Sequence, residues 1–229
     1  MHRLVTFLMP ALNEEAGIEA TIATIPLTQL SHAGYHVEIL VVDGGSTDKT
    51  VSLARKAGAR VIQSPRGYGR QYQYGLKEAK GEIIITGDSD GTYPFEDSLE
   101  YLHALEAQKL DFITVNRFAR MERGAMHFSN KVGNFGLTFF TDLLFWIPLR
   151  DSQSGMWIIR KKCLARLHAR SSGMPFSQEL KIEAFTKVRS AELPGRYKAR
   201  LGETKLLKMK DGFGNLTQLF QKRFGLRQV

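Results

Sequence analysis

The chain has 229 residues, 43% of them hydrophobic and 24% charged, which is the composition of a folded globular protein able to bury a sizeable core. Cys163 is its single cysteine, which excludes an intramolecular disulfide and a cysteine-based metal cluster and fits a reducing, cytoplasmic setting. The net charge of +9 is unevenly placed: from Arg160 onward there are 17 Lys/Arg against 5 Asp/Glu, whereas the preceding 159 residues carry 15 against 18. A basic final third attracts phosphate, whether on lipid head groups, nucleotides or nucleic acid.

The N-terminus has no signal-peptide architecture and enters a strand-like segment, Leu4–Met9. A helical pattern near Glu14–Ile25 follows, then a strand over Val37–Val42, a helix near Asp48–Ala57 and a short strand over Ala59–Ile62. Next come a helix near Tyr68–Ala79, an apolar strand over Ile83–Thr86, a helix near Phe95–Gln108 and a strand over Phe112–Val115. Strands alternating with helices of this length predict an α/β domain with a mostly parallel sheet covered on both faces. No repeat or low-complexity linker interrupts residues 1–229, which read as one domain. No apolar run reaches the roughly 18–20 residues that span a bilayer. Phe135–Leu149 is unusually apolar and fits either core packing or a helix lying in a membrane interface. The tail 213–224, with apolar residues at helical spacing beside cations, fits a packed or a membrane-lying helix.

Several strand ends carry polar residues, and ligands of open α/β sheets sit at such ends. After Ile83–Thr86 come Asp88 and Asp90, two carboxylates that repel each other unless a cation joins them. Mg²⁺ prefers one or two carboxylates plus phosphate oxygens, so the pair suits a divalent ion holding a diphosphate, although Asp90-Gly91 is also ordinary turn chemistry. After the first strand, Asn13 suits either a helix cap or a direct ligand contact, with Glu14 and Glu15 complementing the helix dipole. Asp43, at the end of the second strand, can accept hydrogen bonds from a ribose or a base, and Thr47 or Asp48 can cap the next helix. Arg66-Gly67-Tyr68-Gly69-Arg70 combines backbone freedom with two cations and can approach a nucleotide.

Pro10-Ala11-Leu12-Asn13-Glu14-Glu15, Val41-Val42-Asp43-Gly44-Gly45-Ser46-Thr47-Asp48 and Gly87-Asp88-Ser89-Asp90-Gly91 resemble, in order and spacing, the three signatures of family 2 glycosyltransferases. Arg150-Asp151-Ser152-Gln153-Ser154-Gly155-Met156 and the segment Tyr197–Leu206 are similar to elements of dolichol-phosphate mannose and glucose synthases. The resemblance implies the GT-A fold, a Rossmann-like α/β domain that binds a nucleotide sugar, with a donor-binding half over residues 1–120 and an acceptor-side half over 121–229. It implies a metal-dependent, inverting transfer of a hexose from a GDP-mannose or UDP-glucose type donor to a polyprenyl (dolichyl) phosphate. Asp88 and Asp90 would hold Mg²⁺ or Mn²⁺, and with Arg117 they would form the catalytic set. Pro10, Ala11, Leu12, Asn13, Glu14, Asp43, Gly69, Arg70 and Ser89 would complete the donor site, while Arg117, Lys131, Asp151, Ser154, Arg200 and Lys205 would receive the acceptor. Thr92 departs from the pattern, standing where the family has a possible amide ligand to the metal. The Gln-x-x-Arg-Trp element of processive synthases does not occur, which disfavours processive synthesis.

A phosphate acceptor needs no general base, because a phosphate monoester is largely dianionic near pH 7, its second pKa being about 6. A hydroxyl acceptor does need one, and Asp151 and Glu179 are then the candidates, each with an ordinary structural alternative. A non-catalytic nucleic-acid or nucleotide-binding module would account for the basic final third but not for Asp88 and Asp90; nucleic acid is therefore not the expected partner. With no spanning segment, the expected location is the cytoplasmic face of a membrane, held peripherally.

Overall fold

The structure, a computed structural model, describes residues 3–202 and 208–225. The described strands are β1 (Arg3–Ala11), β2 (Tyr35–Asp43), β3 (Arg60–Gln63), β4 (Ile83–Thr86), β5 (Phe112–Met121), β6 (Trp157–Arg160) and β7 (Ser190–Tyr197). They form one sheet in the order β3-β2-β1-β4-β6-β5-β7. Every pairing is parallel except those of β6, which runs against both β4 and β5. The expected mostly parallel sheet is present, with one reversed strand near its middle.

The sequence explains the order. β4 is four consecutive buried residues, and β1 is buried continuously from Val5 to Ala11, as central strands covered on both faces must be. β7 contains Pro194, which has no N–H to give a second neighbour, and lies at the sheet edge.

The helices are α1 (Ile18–Ala23), α2 (Leu27–His32), α3 (Thr50–Lys56), α4 (Tyr68–Glu78), α5 (Ser98–Ala107), α6 (Phe128–Phe145), α7 (Pro175–Lys187) and α8 (Lys208–Phe224). One face of the sheet packs against Ile18, Ile22, Leu30, Ala54 and Leu102 of α1, α2, α3 and α5. The other packs against Tyr72 and Leu76 of α4 and Phe176, Leu180 and Ala184 of α7. A smaller core of Ile147, Leu149, Ile182 and Leu219 joins α8 to α7 and to the partly buried face of α6.

One helix start differs from the periodicity, and three elements were not foreseen. The helix expected from Glu14 begins only at Ile18, because Asn13 takes a left-handed φ of 53° and Glu14–Gly17 closes a turn first. α2, β6 and β7 were not foreseen: α2 and β6 are short, β6 is a bare apolar run whose place depends on its neighbours, and β7 is interrupted by Pro194 and Gly195. The tail expected over 213–224 is the packed helix α8, with Leu219 fully buried.

Candidate active site

A cleft of about 390 Å³ opens at the ends of β1 and β4, lined by residues from five segments of the chain. Pro10, Ala11, Leu12 and Glu14 come from the end of β1 and its loop, and Asp88, Ser89 and Asp90 from the loop after β4. Arg66, Gly67, Tyr68 and Gln71 come from the start of α4, Gly173 and Met174 from the approach to α7, and Arg200 from the segment after β7.

The two carboxylates are held differently. Asp90 is buried; its Oδ1 accepts the Thr92 hydroxyl at 2.6 Å and the Thr92 N–H at 3.0 Å, and its Oδ2 accepts Arg200 Nη1 at 2.7 Å. Thr92, the departure from the family pattern, therefore orients Asp90. Asp88 accepts the Tyr68 hydroxyl at 3.4 Å. Burial and then the neighbouring Asp90 push its carboxyl from 3.8 to about 7, although the positive charges of Arg200 and Arg117 act the other way. Arg200 also bonds Glu14, bridging the β1 and β4 loops, while the Leu201 N–H donates to the Asp90 carbonyl at 2.8 Å. A guanidinium thus already supplies positive charge between two of the cleft's three carboxylates.

The remaining expected donor residues support the cleft from behind. The Asn13 carboxamide oxygen accepts the Thr47 N–H at 2.8 Å, and its own N–H donates to Ser46, so it fastens the β1 loop to the β2 loop; it does not cap α1. Asp48, one residue before the N-cap Lys49 of α3, accepts the first helical N–H, that of Thr50, at 2.9 Å. Asp43 is buried and accepts the N–H groups of Gly45 and Ser46, so its carboxylate shapes its own turn. Gly69 and Arg70 do not line the cleft. A Cβ at Gly69 would lie 2.0 Å from the Ser171 carbonyl oxygen, so that glycine lets α4 approach the 171 loop, and Arg70 is exposed. Their place is taken by Tyr68 and Gln71; Gln71 spans both central strand ends, donating to the carbonyls of Ala11 at 2.8 Å and Val42 at 2.9 Å.

On the expected acceptor side, Arg117 is buried and grips Asp151 through Nε at 2.7 Å and Nη2 at 2.8 Å, with its guanidinium 5.4 Å from the Tyr197 ring centroid. Burial opposes the charge on Asp151, but the Arg117 guanidinium outweighs it and holds the carboxyl below the usual carboxylate range. The fully buried Lys181, not foreseen from the sequence, donates to the Ser152 carbonyl at 2.8 Å and braces this loop from α7. Burial presses its ammonium down to about 7. Ser154 is also buried, its carbonyl accepting from Ser177 and Trp157. Glu179 accepts the N–H groups of Arg170 and Ser171 and the Ser171 hydroxyl, all within 2.9 Å. Lys131 sits half-buried on α6, away from the cleft, and Lys205 lies outside the described residues.

Residues 6–167 match the family model for glycosyl transferase family 2. The chain belongs to that family. It is 33% identical over 203 residues to a dolichyl-phosphate hexose transferase of Haloferax volcanii, covering 86% of this chain and 84% of that protein. It is 32% identical over 213 residues to the low-salt glycan biosynthesis hexosyltransferase Agl6 of the same organism, covering 91% of this chain but only 51% of Agl6, so it spans about half that relative's length. Among solved structures, glucosyl-3-phosphoglycerate synthase from Mycobacterium tuberculosis, in complex with Mg²⁺ and uridine diphosphate, superposes with a TM-score of 0.75. That likeness covers 99% of this chain and 81% of the other at 22% identity, and establishes the GT-A fold.

Family membership removes the non-catalytic nucleic-acid reading. Gln71, Gly173 and Met174 line the cleft without having been singled out in the sequence, and Tyr68 was read only as part of the 66–70 loop. Tyr68 had one usable signal, its place in the first turn of a helix after a basic glycine loop. Gly173 and Met174 had none, being brought in by the packing of α7.

Proposed function

We propose that this glycosyltransferase moves a hexose, with inversion, from a nucleotide sugar of the GDP-mannose or UDP-glucose type to a polyprenyl (dolichyl) phosphate at the cytoplasmic face of a membrane. The observation that carries the acceptor class is the state of the two candidate bases. Asp151 is locked in a bidentate pair with Arg117, and Glu179 is spent on the 170–171 loop and Lys222. A carboxylate held ionised by a buried arginine is a poor proton acceptor, so neither of these two carboxylates is free to serve a hydroxyl acceptor as its base. A phosphate acceptor already carries its nucleophilic charge, and the protein's task becomes holding two anions together.

The residues present fit a divalent cation. Asp88 and Asp90 share one wall of the cleft, and Asp88 resists ionisation there because it is buried and lies beside the charge of Asp90. Among the described residues there is no cluster of three or more His, Cys, Asp or Glu suited to a metal, so diphosphate oxygens and water would complete the shell, as Mg²⁺ or Mn²⁺ accepts. The ion would neutralise charge developing on the leaving diphosphate. Tyr68, Gln71 and the Pro10–Leu12 backbone form the walls for the nucleotide. Arg200, at the rim between the β1 and β4 loops, is the cation placed to meet the incoming phosphate, with Arg117 setting the field behind it.

The test is a product assay with several labelled nucleotide sugars, each with and without polyprenyl phosphate and divalent metal. Label entering the lipid fraction only with Mg²⁺ or Mn²⁺ supports the reading. No lipid product from any donor overturns the acceptor assignment.

A further inference from the structure

α6 has two opposite faces. Thr138 and Thr141 face inward, hydrogen-bonding Ser152 and Gln178, and Leu137, Phe140, Leu144 and Phe145 pack against the small core beside α8. The outer face carries Phe128, Val132, Phe135, Phe139 and Leu143, each 54–81% exposed, and ends on Trp146, 88% exposed. At 3.6 residues per turn the five helical side chains fall within an arc of about 80° and run along about 22 Å of helix, and Trp146 follows at the left-handed C-cap. No charged residue interrupts the arc: α6 holds only Lys131 and Asp142, both partly buried. Single exposed apolar residues are ordinary; a continuous aromatic stripe is not.

The apolar surface continues onto α8. Phe140 contacts Phe220, which stacks on the exposed Phe224, and Arg223 beside it is exposed. Arg123, just before α6, is exposed as well, and Arg123, Lys131 and Arg223 make no ion pair with a carboxylate among the described residues. At the other side the stripe leads to the site: Phe135 stacks on Phe118 with centroids 4.8 Å apart, and the Arg117 guanidinium lies 5.9 Å from the Phe118 ring.

We propose that the outer face of α6, extended by Phe220 and Phe224, inserts into the interfacial layer of an anionic bilayer. A helix with a narrow aromatic face, a terminal tryptophan and unpaired flanking cations has the anatomy of an element lying in the head-group plane. No helix among the described residues is long and apolar enough to cross a membrane, so attachment through this part of the chain is lateral. The proposal deepens the polyprenyl-phosphate reading, because it sets the membrane against the Arg117 side of the site, but it needs no polyprenyl lipid to be tested.

The experiment uses the full chain with vesicles of phosphatidylcholine, with and without phosphatidylglycerol. Of the two tryptophans, Trp157 is fully buried, so Trp146 reports. The expected result is a blue shift of its fluorescence and co-sedimentation with the phosphatidylglycerol vesicles, weakened by salt and lost in W146F for the spectral signal. Phe139→Asp with Leu143→Asp should weaken sedimentation at least about tenfold. Its thermal unfolding and its stabilisation by nucleotide diphosphate with Mn²⁺ should stay as in the parent. Undiminished binding by that variant, or no binding by the parent to either vesicle, overturns the proposal. So does a concentration-dependent dimer that shifts Trp146 without lipid. Vesicle binding without sugar transfer to polyprenyl phosphate would instead refute the acceptor assignment and leave this surface standing.

Discussion

Asp88→Asn separates what the cleft does for function from what it costs the fold. Burial, followed by repulsion from Asp90, lifts the Asp88 carboxyl from 3.8 to about 7. The folded protein therefore binds this proton more tightly than the unfolded chain does. Stability is undiminished below the unfolded value, declines as pH rises from there, and levels off once pH passes the folded value. At about 1.4 kcal/mol per unit the full shift corresponds to about 4 kcal/mol, and adjustment of Tyr68 and Arg200 around the charge leaves about 2–4 kcal/mol. Asparagine keeps the shape and removes the charge. The variant should unfold roughly 5–15 °C higher than the parent near pH 8, and at the same temperature near pH 4. It should also lose the stabilisation that Mn²⁺ with GDP or UDP gives the parent. Thermal scans at the two pH values, with and without metal and each nucleotide, measure all of this. A gain of equal size at both pH values, or none near pH 8, would refute the electrostatic account of the site.

Thr92→Val removes the hydroxyl that holds Asp90 at 2.6 Å and leaves a buried carboxylate short of a donor. It should cost about 1–3 kcal/mol by denaturant titration and weaken Mn²⁺ binding by calorimetry. Asp151→Asn leaves the buried Arg117 without its counter-charge and should destabilise by about 3–5 kcal/mol. At a temperature where it stays folded, its pH–rate profile should keep the parent's shape, whereas loss of a general base would change it. Gly133 and Gly136 lie in α6 with open space where a Cβ would sit. Alanine at each should stabilise by about 0.5–1 kcal/mol in urea unfolding, through helix propensity alone.

The sequence determined a good deal locally. Continuous burial on both faces is written in Ile83–Thr86 and in the apolar run of β1, and a strand so covered belongs in the middle of an α/β sheet. The carboxylates at its end, and the loops at 10–15 and 43–48, were legible because each follows its strand within a few residues. What escaped is what distance in sequence hides. The antiparallel β6 is four residues long, and nothing within four residues records the direction of its neighbours. Gly69 read as a nucleotide loop and proved to be a packing position, since the atom that forbids a side chain there belongs to Ser171. Arg117 and Asp151 read as acceptor residues, yet they hold each other, 34 residues apart.

Composition and spacing alone therefore determined the strands β1 to β5, their alternation with helices and the acidic end of β4, because backbone geometry converts short-range apolar patterns into strands and helices. Only the tertiary structure decided which cations meet which anions: Arg200 with Asp90 and Glu14, Arg117 with Asp151. It also decided which apolar residues of α6 pack inward, Leu137, Phe140 and Leu144, and which face outward, Phe135, Phe139 and Leu143. Charges separated by a hundred residues find each other through packing, and which side of a helix is covered depends on what the rest of the chain has left to cover it.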